Sequence, residues 1–127
     1  MIKILVVDDE QMICELVKEV FERKGHTVYA EVNPVKALSI VEKEGTQVVL
    51  LDVVMPEMDG LEVLGKIKAK NKDIKVIIIT FLEDEETRQK AMDLGADAFL
   101  TKPFVTEDLE DLVMNKIQEV CNLEGGK

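Results

Sequence analysis

The sequence predicts a three-layer, doubly wound α/β fold, and three observations carry that prediction. Short β-branched runs alternate five times with longer segments of helical periodicity. Two of the runs, IKILVV and QVVLLD, are nearly continuous apolar stretches, as strands buried on both faces are. The length of 127 residues suits one domain and is too short for two.

The elements follow in order. IKILVV, at 2–7, is the first strand. Ile13, Leu16, Val17, Val20 and Phe21 then recur at helical spacing, and Gly25 stands where a C-terminal cap belongs. VYAEV, at 28–32, forms the second strand. Asn33 before Pro34 supplies an N-cap and a first-turn proline, opening a second helix that runs to Lys43. QVVLLD, at 47–52, is the third strand, and Asp59 with Glu62 forms a capping-box pattern that opens the third helix. IKVIIIT, at 74–80, is the fourth strand. The acidic stretch Glu83 to Glu86 suits the N-terminal dipole of a fourth helix, which Gly95 closes. DAFLT, at 97–101, is the fifth strand. Thr106 introduces a fifth helix marked by Leu109, Leu112, Val113, Lys116, Ile117 and Val120.

Strict alternation implies a parallel sheet covered on both faces. Right-handed crossovers leave few topologies, and the flavodoxin-like order 2-1-3-4-5 fits best. The domain is expected to fill 1–122, with 123–127 a flexible tail or the start of a linker. The ending NLEGGK suits a stand-alone protein and an excised domain equally.

Composition narrows the function. Sixteen Lys and Arg against 26 Asp and Glu give a net charge of −10, which repels a polyanion, so direct nucleic-acid binding is not expected. No segment approaches the roughly 20 apolar residues of a membrane span. A soluble, cytoplasmic protein is expected. Cys14 and Cys121 lie far apart inside helical patterns and read as reduced packing residues, and His26 as structural or solvent-facing.

In such a sheet, ligands bind beyond the carboxyl ends of the strands. The first strand ends in Asp8 and Asp9, the third in Asp52, the fourth in Thr80, and the fifth in Thr101, Lys102 and Pro103. Neighbouring strands lie about 4.8 Å apart, so these tips converge. Three carboxylates so close repel one another, and at least one should have a raised pKa unless a counter-charge arrives. Magnesium resolves the conflict, because it takes oxygen ligands and pairs one or two carboxylates with a phosphate. Asp9 and Asp52 could supply those carboxylates, while Lys102 and Thr80 could hydrogen-bond a phosphoryl oxygen. Asp52 could then act as a carboxylate nucleophile. Taken singly, each residue has a plainer reading: a turn acid, a β-branched strand residue, a surface lysine. Their joint placement at adjacent strand ends outweighs those readings.

VVDDE at 6–10, LLDVVMPEMDG at 50–60, the threonine of IIIT and GADAFLTKPF at 95–104 together resemble the receiver domain of two-component response regulators, of the single-domain chemotaxis type in length. The resemblance implies that Asp52 is the phosphoacceptor, that Asp9 binds magnesium (or manganese) directly and Asp8 through water, and that the Val54 backbone carbonyl adds a third protein contact. It implies that Thr80 is the switch hydroxyl, Lys102 the phosphate-binding lysine and Lys102–Pro103 a cis bond. Phe99 matches the aromatic that moves with the switch, although a plain core aromatic would look the same. The phosphoryl donor would be a sensor histidine kinase or phosphotransfer protein. The face of helix 4, strand 5 and helix 5 would signal to an output partner or domain, from a monomer or a phosphorylation-dependent dimer. Such a chain is a switch that catalyses its own phosphorylation and slow dephosphorylation, not an enzyme acting on a separate substrate.

One position departs from the family pattern. The residue after the switch threonine is commonly small, and here it is Phe81, followed by Leu82; Val54 is apolar too. Val54, Phe81 and Leu82 are expected to shield an acyl phosphate from water, although Phe81 could simply pack on helix 4. Three rival readings compete with this one. A phosphatase with an aspartyl phosphate intermediate would want an acid where Val54 stands. A nucleotide or flavin binder would want a phosphate loop where Asp8, Asp9 and Glu10 stand. A phosphorylation-independent interaction module is the main alternative, and the set Asp8, Asp9, Asp52, Thr80 and Lys102 argues against it.

Overall fold

The computed structural model describes residues 2–54, 59–81 and 84–125, and of 120–125 the backbone alone. Five strands, β1 (Lys3–Val7), β2 (Thr27–Glu31), β3 (Val48–Leu51), β4 (Lys75–Thr80) and β5 (Ala98–Thr101), alternate with five helices, α1 (Gln11–Arg23), α2 (Pro34–Glu44), α3 (Gly60–Lys70), α4 (Glu85–Asp93) and α5 (Thr106–Gly125). The strands are all parallel, in the order β2-β1-β3-β4-β5. This is the flavodoxin-like arrangement the alternating pattern predicts.

The period-two side-chain alternation of a strand splits the apolar runs between two cores. Leu5, Val7, Val49, Leu51, Val76 and Ile78 face Ala37, Val41, Val63, Leu64, Ile67 and Ala91 of α2, α3 and α4. Ile4, Val6, Val48, Leu50, Ile77 and Ile79 face Cys14, Val17, Phe21, Leu109, Val113 and Ile117 of α1 and α5. Burying both faces of β1, β3 and β4 explains why those runs carry no polar alternation. At about 1.5–3 kcal/mol for each fully buried large aliphatic chain, these layers are the main source of stability.

Local chemistry sets the helix ends. The Asn33 side chain accepts from Val35 and Lys36 N–H, Asp59 from Leu61 and Asp84 from Thr87. Gly45 ends α2 in the left-handed region, at φ 69°, where a side chain would be strained. Two boundaries differ from the pattern. β2 occupies Thr27–Glu31 rather than 28–32, because Thr27 N–H bonds Ile2 carbonyl and Thr27 pairs with Lys3. α5 continues to Gly125, past the expected boundary at 122, since no helix-breaking residue precedes that glycine.

His26 has a structural role: its Nδ1 accepts the Ile2 N–H at 3.2 Å, tying the start of β1 to the α1–β2 turn. Burial, with the positive charge of Lys24 adding to it, lowers its pKa, so the neutral acceptor form is favoured. Cys14 is a buried free thiol, pushed up to about 11 by burial and then by the charge of Asp8, and is therefore unreactive at neutral pH. The side chain of Cys121 lies outside the described residues. Among the described residues, no helix is long and apolar enough to cross a membrane.

One close approach couples the fold to the strand ends. Gly60 opens α3 against the residues that follow β3, and its N–H bonds the Val53 carbonyl at 3.0 Å. A Cβ there would lie 2.3 Å from both the Asp52 carbonyl oxygen and Val53 Cα, both backbone atoms that cannot rotate away. Gly60→Ala should therefore cost at least the 1–3 kcal/mol or so typical of overpacking. Urea unfolding of the two proteins checks this, and an unchanged midpoint would show that the β3–α3 connection yields freely.

Candidate functional site

The carboxyl ends of β1, β3, β4 and β5 lie side by side, and the first polar residues beyond them form one cluster. Asp52 continues the β3 ladder by one bond, its N–H reaching the Val7 carbonyl at 3.0 Å, before its side chain turns out of the sheet. Val54 N–H donates to Asp52 Oδ1 at 3.0 Å and fixes that carboxylate. Asp8 is held in the same way, Oδ1 accepting the Glu10 N–H at 2.9 Å. Asp8 and Asp52 are buried, whereas Asp9 is exposed.

Lys102 follows β5, its N–H bonded to the Thr80 carbonyl at 2.7 Å, and the Lys102–Pro103 bond is cis. Its ammonium, with the side chain only 2% exposed, meets Glu10 at 2.6 Å, Asp8 at 2.8 Å and Asp52 at 3.1 Å. A lysine offers three donors, and three carboxylates face them here. The Phe81 ring lies against the same group, its centroid 5.3 Å from Nζ, within cation–π range.

The electrostatics follow from burial and these partners. Burial raises the pKa of Asp8 and is only partly opposed by Lys102 and the Glu10 amide; the charge of Asp52 adds to the rise. Desolvation, more than carboxylate repulsion, is therefore what perturbs Asp8. For Lys102, burial works against the charge but is outweighed by hydrogen bonds to Asp8 and Glu10 and by the charges of Asp8 and Asp52. The lysine stays protonated at every physiological pH.

Carboxylate oxygens of Asp8, Asp9 and Asp52 all lie within 4.8 Å of one another. Magnesium takes oxygen ligands and is held by one or two carboxylates, so these residues are the ones that would hold a hard dication. The donors fit: they are oxygens only, and two of them are buried. A cleft of about 350 Å³ opens over the cluster, lined by Asp9, Glu10, Asp52, Val54 and Phe81. Val54 and Phe81 are 51% and 59% exposed, large apolar side chains at the rim.

The sequence-predicted residues are thus placed as follows. Asp8, Asp9, Asp52 and Lys102 form one cluster, Val54 and Phe81 line the cleft beside Asp9 and Asp52, and Thr80 is buried at the end of β4. Leu82 lies outside the described residues. Phe99 stands on β5 opposite Ile78, partly buried against the α2–α3–α4 core, with the Arg88 guanidinium 5.2 Å over its ring. Glu10 is the site residue that sequence reasoning missed. Its signal was present, a third acid directly after Asp8 and Asp9, but position alone did not show that it reaches Lys102.

Comparison with known proteins agrees with this geometry. Residues 4–114 match the family model described as the response regulator receiver domain. Sporulation initiation phosphotransferase F of Bacillus subtilis (strain 168) is 40% identical over 111 residues, which cover 87% of this chain and 90% of that protein. Response regulator MprA of Mycobacterium ulcerans is 33% identical over 108 residues, and there the match spans 85% of this chain but only 47% of the relative. Among solved structures, a CheY-like receiver domain protein from Methanospirillum hungatei superposes with a TM-score of 0.92 at 28% identity, covering 99% of each chain. A BeF3-activated DrrB receiver domain superposes at 0.86 with 34% identity, covering 93% of this chain and 98% of that one.

The raised pKa of Asp8 has a testable sign. A carboxyl group whose folded pKa exceeds the ordinary 3.8 favours folding in its protonated form, and that contribution is lost as pH rises through the folded value. Metal-free Asp8→Asn should therefore melt higher than wild type at neutral pH, with the gap narrowing as the solution is acidified. Thermal unfolding in a chelator across that range checks it, and a lower melting temperature for the variant at neutral pH would contradict it.

Proposed function

The chain belongs to the response regulator receiver domain family of two-component systems, and on that premise we propose that it is a phosphorylation switch in which Asp52 accepts a phosphoryl group. The observation that carries this reading is the buried Asp52 carboxylate, fixed by Val54 N–H and Lys102, with Asp8 and Asp9 beside it under an open cleft. Magnesium would be held by Asp8, Asp9, Asp52 and the Val54 carbonyl, and would supply positive charge to the oxygens of the transferring group.

The residues of the chain do the rest. A carboxylate oxygen of Asp52 attacks the phosphorus of a phosphohistidine on a sensor kinase or phosphotransfer protein. The phosphorus–nitrogen bond breaks, its electron pair stays on the imidazole, which takes up a proton, and Asp52 is left as an acyl phosphate. Lys102 and the Thr80 hydroxyl then hydrogen-bond the phosphoryl oxygens. Hydrolysis by water attacking phosphorus restores the carboxylate, so the chain resets itself.

Readout would run through the face of α4, β5 and α5. Phe99 stands there, and the ring is open enough to be covered by Arg88. A shift of Thr80 toward the phosphoryl group would vacate space next to β5 and draw Phe99 inward. The partner could be a separate protein or an attached domain, since the chain spans about half the length of MprA.

Val54 and Phe81 stand where an attacking water would have to approach. A slow reset follows from that crowding. Incubation with a small acyl-phosphate donor and magnesium should add one phosphoryl group, seen by mass spectrometry, to wild type and none to Asp52→Asn. No added mass on wild type would favour a phosphorylation-independent interaction module. Phe81→Ala should speed loss of the phosphoryl group by roughly 3- to 10-fold, equivalent to about 0.7–1.4 kcal/mol in the barrier. An unchanged rate would show that the aromatic rim does not govern water access.

A further inference from the structure

Glu10 has no place in the proposed metal set, yet it makes the shortest of the three contacts to Lys102, 2.6 Å against 2.8 Å for Asp8 and 3.1 Å for Asp52. Its side chain is 46% exposed while that of Lys102 is 2% exposed, so the pair joins the buried cluster to the open cleft. Glu10 is also the N-cap residue of α1, but its side chain makes no capping hydrogen bond. Its carboxylate is therefore committed to Lys102 rather than to the helix.

We infer that Glu10 is a positioning residue that holds Lys102 when a dication occupies the aspartates, and that an incoming phosphoryl group must displace it. This rests on the function proposed above and extends it to a residue with no role there. In the structure, Lys102 neutralises Asp8 and Asp52. A dication on Asp8, Asp9 and Asp52 takes over that neutralisation and repels the ammonium. Glu10 is then the carboxylate left to Lys102, and it keeps a buried cation paired during the exchange. A phosphoryl group on Asp52 needs the same ammonium, so Glu10 and the phosphoryl oxygens compete for it. Glu10 also lines the cleft mouth, where its negative charge opposes an anionic donor.

Two consequences of opposite sign follow. Glu10→Gln removes the partner that receives Lys102, so magnesium binding, measured by calorimetry without any donor, should weaken by about 3- to 10-fold, as expected for one partly exposed charge-assisted hydrogen bond. At saturating magnesium, the same variant should accept phosphoryl groups from a small acyl-phosphate donor severalfold faster, because Lys102 is no longer held away. Both effects should shrink strongly in a Lys102→Met background, which a general change of pocket charge would not produce. The unchanged fold of each variant is checked by its amide NMR spectrum. If Glu10→Gln leaves magnesium affinity unchanged, or weakens it equally with and without Lys102, the inference is overturned. Phosphorylation of wild type on Asp52 in the same series keeps that outcome separate from a failure of the underlying function.

Discussion

The Lys102 ammonium is almost wholly excluded from water and persists as a charge because three carboxylates meet it at 2.6 to 3.1 Å. Taking either sign of charge into the interior alone costs several kcal/mol even after relaxation, so neither the lysine nor the buried pair Asp8 and Asp52 would be tolerated without the other. Their requirements are mutual but unequal in number. Three acids, with Asp9 as a fourth at the edge, surround one base, and the surplus negative charge makes the pocket receptive to a dication. A dication there would offset the burial that raises the Asp8 pKa.

The rest of the fold delivers those groups to one place. Apolar runs two residues longer or shorter would carry the aspartates into the cores or out to solvent, because β1 and β3 are in register from Ile4 with Val48 to Val7 with Leu51. Asp8 and Asp52 are the first residues beyond that paired segment. Gly60 then packs directly on the Asp52 backbone, so the start of α3 closes against the site with no room for a side chain. On the other side Cys14 donates to the Asp8 carbonyl at 3.4 Å, tying α1 to the same strand end. Core packing and site geometry are thus one constraint, imposed from both layers.

Most of this arrangement could be read from residues in order. Continuous β-branched runs identify β1, β3 and β4 because burial on both faces leaves no polar positions to confuse the period. Polar residues stand at or directly after the ends of these runs, which is why Asp8, Asp52, Thr80 and Lys102 were legible together. Edge strands are harder. β2 is only partly buried, so the pattern placed it one residue late, and the backbone bond from Thr27 to Ile2 that sets its start leaves no mark in the sequence. Contacts between distant side chains are harder still. Glu10 and Lys102 are 92 residues apart, and nothing in either neighbourhood states that one reaches the other. The same holds for Arg88 over Phe99 and Phe81 over Lys102, which depend on side-chain directions at loop and helix positions rather than on any repeat.

These unforeseen contacts bear on how strongly a phosphoryl group could drive the switch. Moving an equilibrium from 1:99 to 99:1 takes about 5.5 kcal/mol of differential stabilisation. Two charge-assisted hydrogen bonds, from Thr80 and Lys102, supply roughly 1.5–3 kcal/mol each and reach that figure only near their upper limit. Lys102 does not start unpaired, however: its bonds to the phosphoryl oxygens replace bonds to carboxylates already made at 2.6 to 3.1 Å. The differential gain from the lysine is what remains after that exchange, and it is smaller than the bond itself. More of the bias must then come from Thr80 and from the packing of Phe99 beneath Arg88, on the face where a partner would bind. Under the proposed function, phosphorylation therefore shifts this domain part of the way, and binding at the α4–β5–α5 face supplies the remainder.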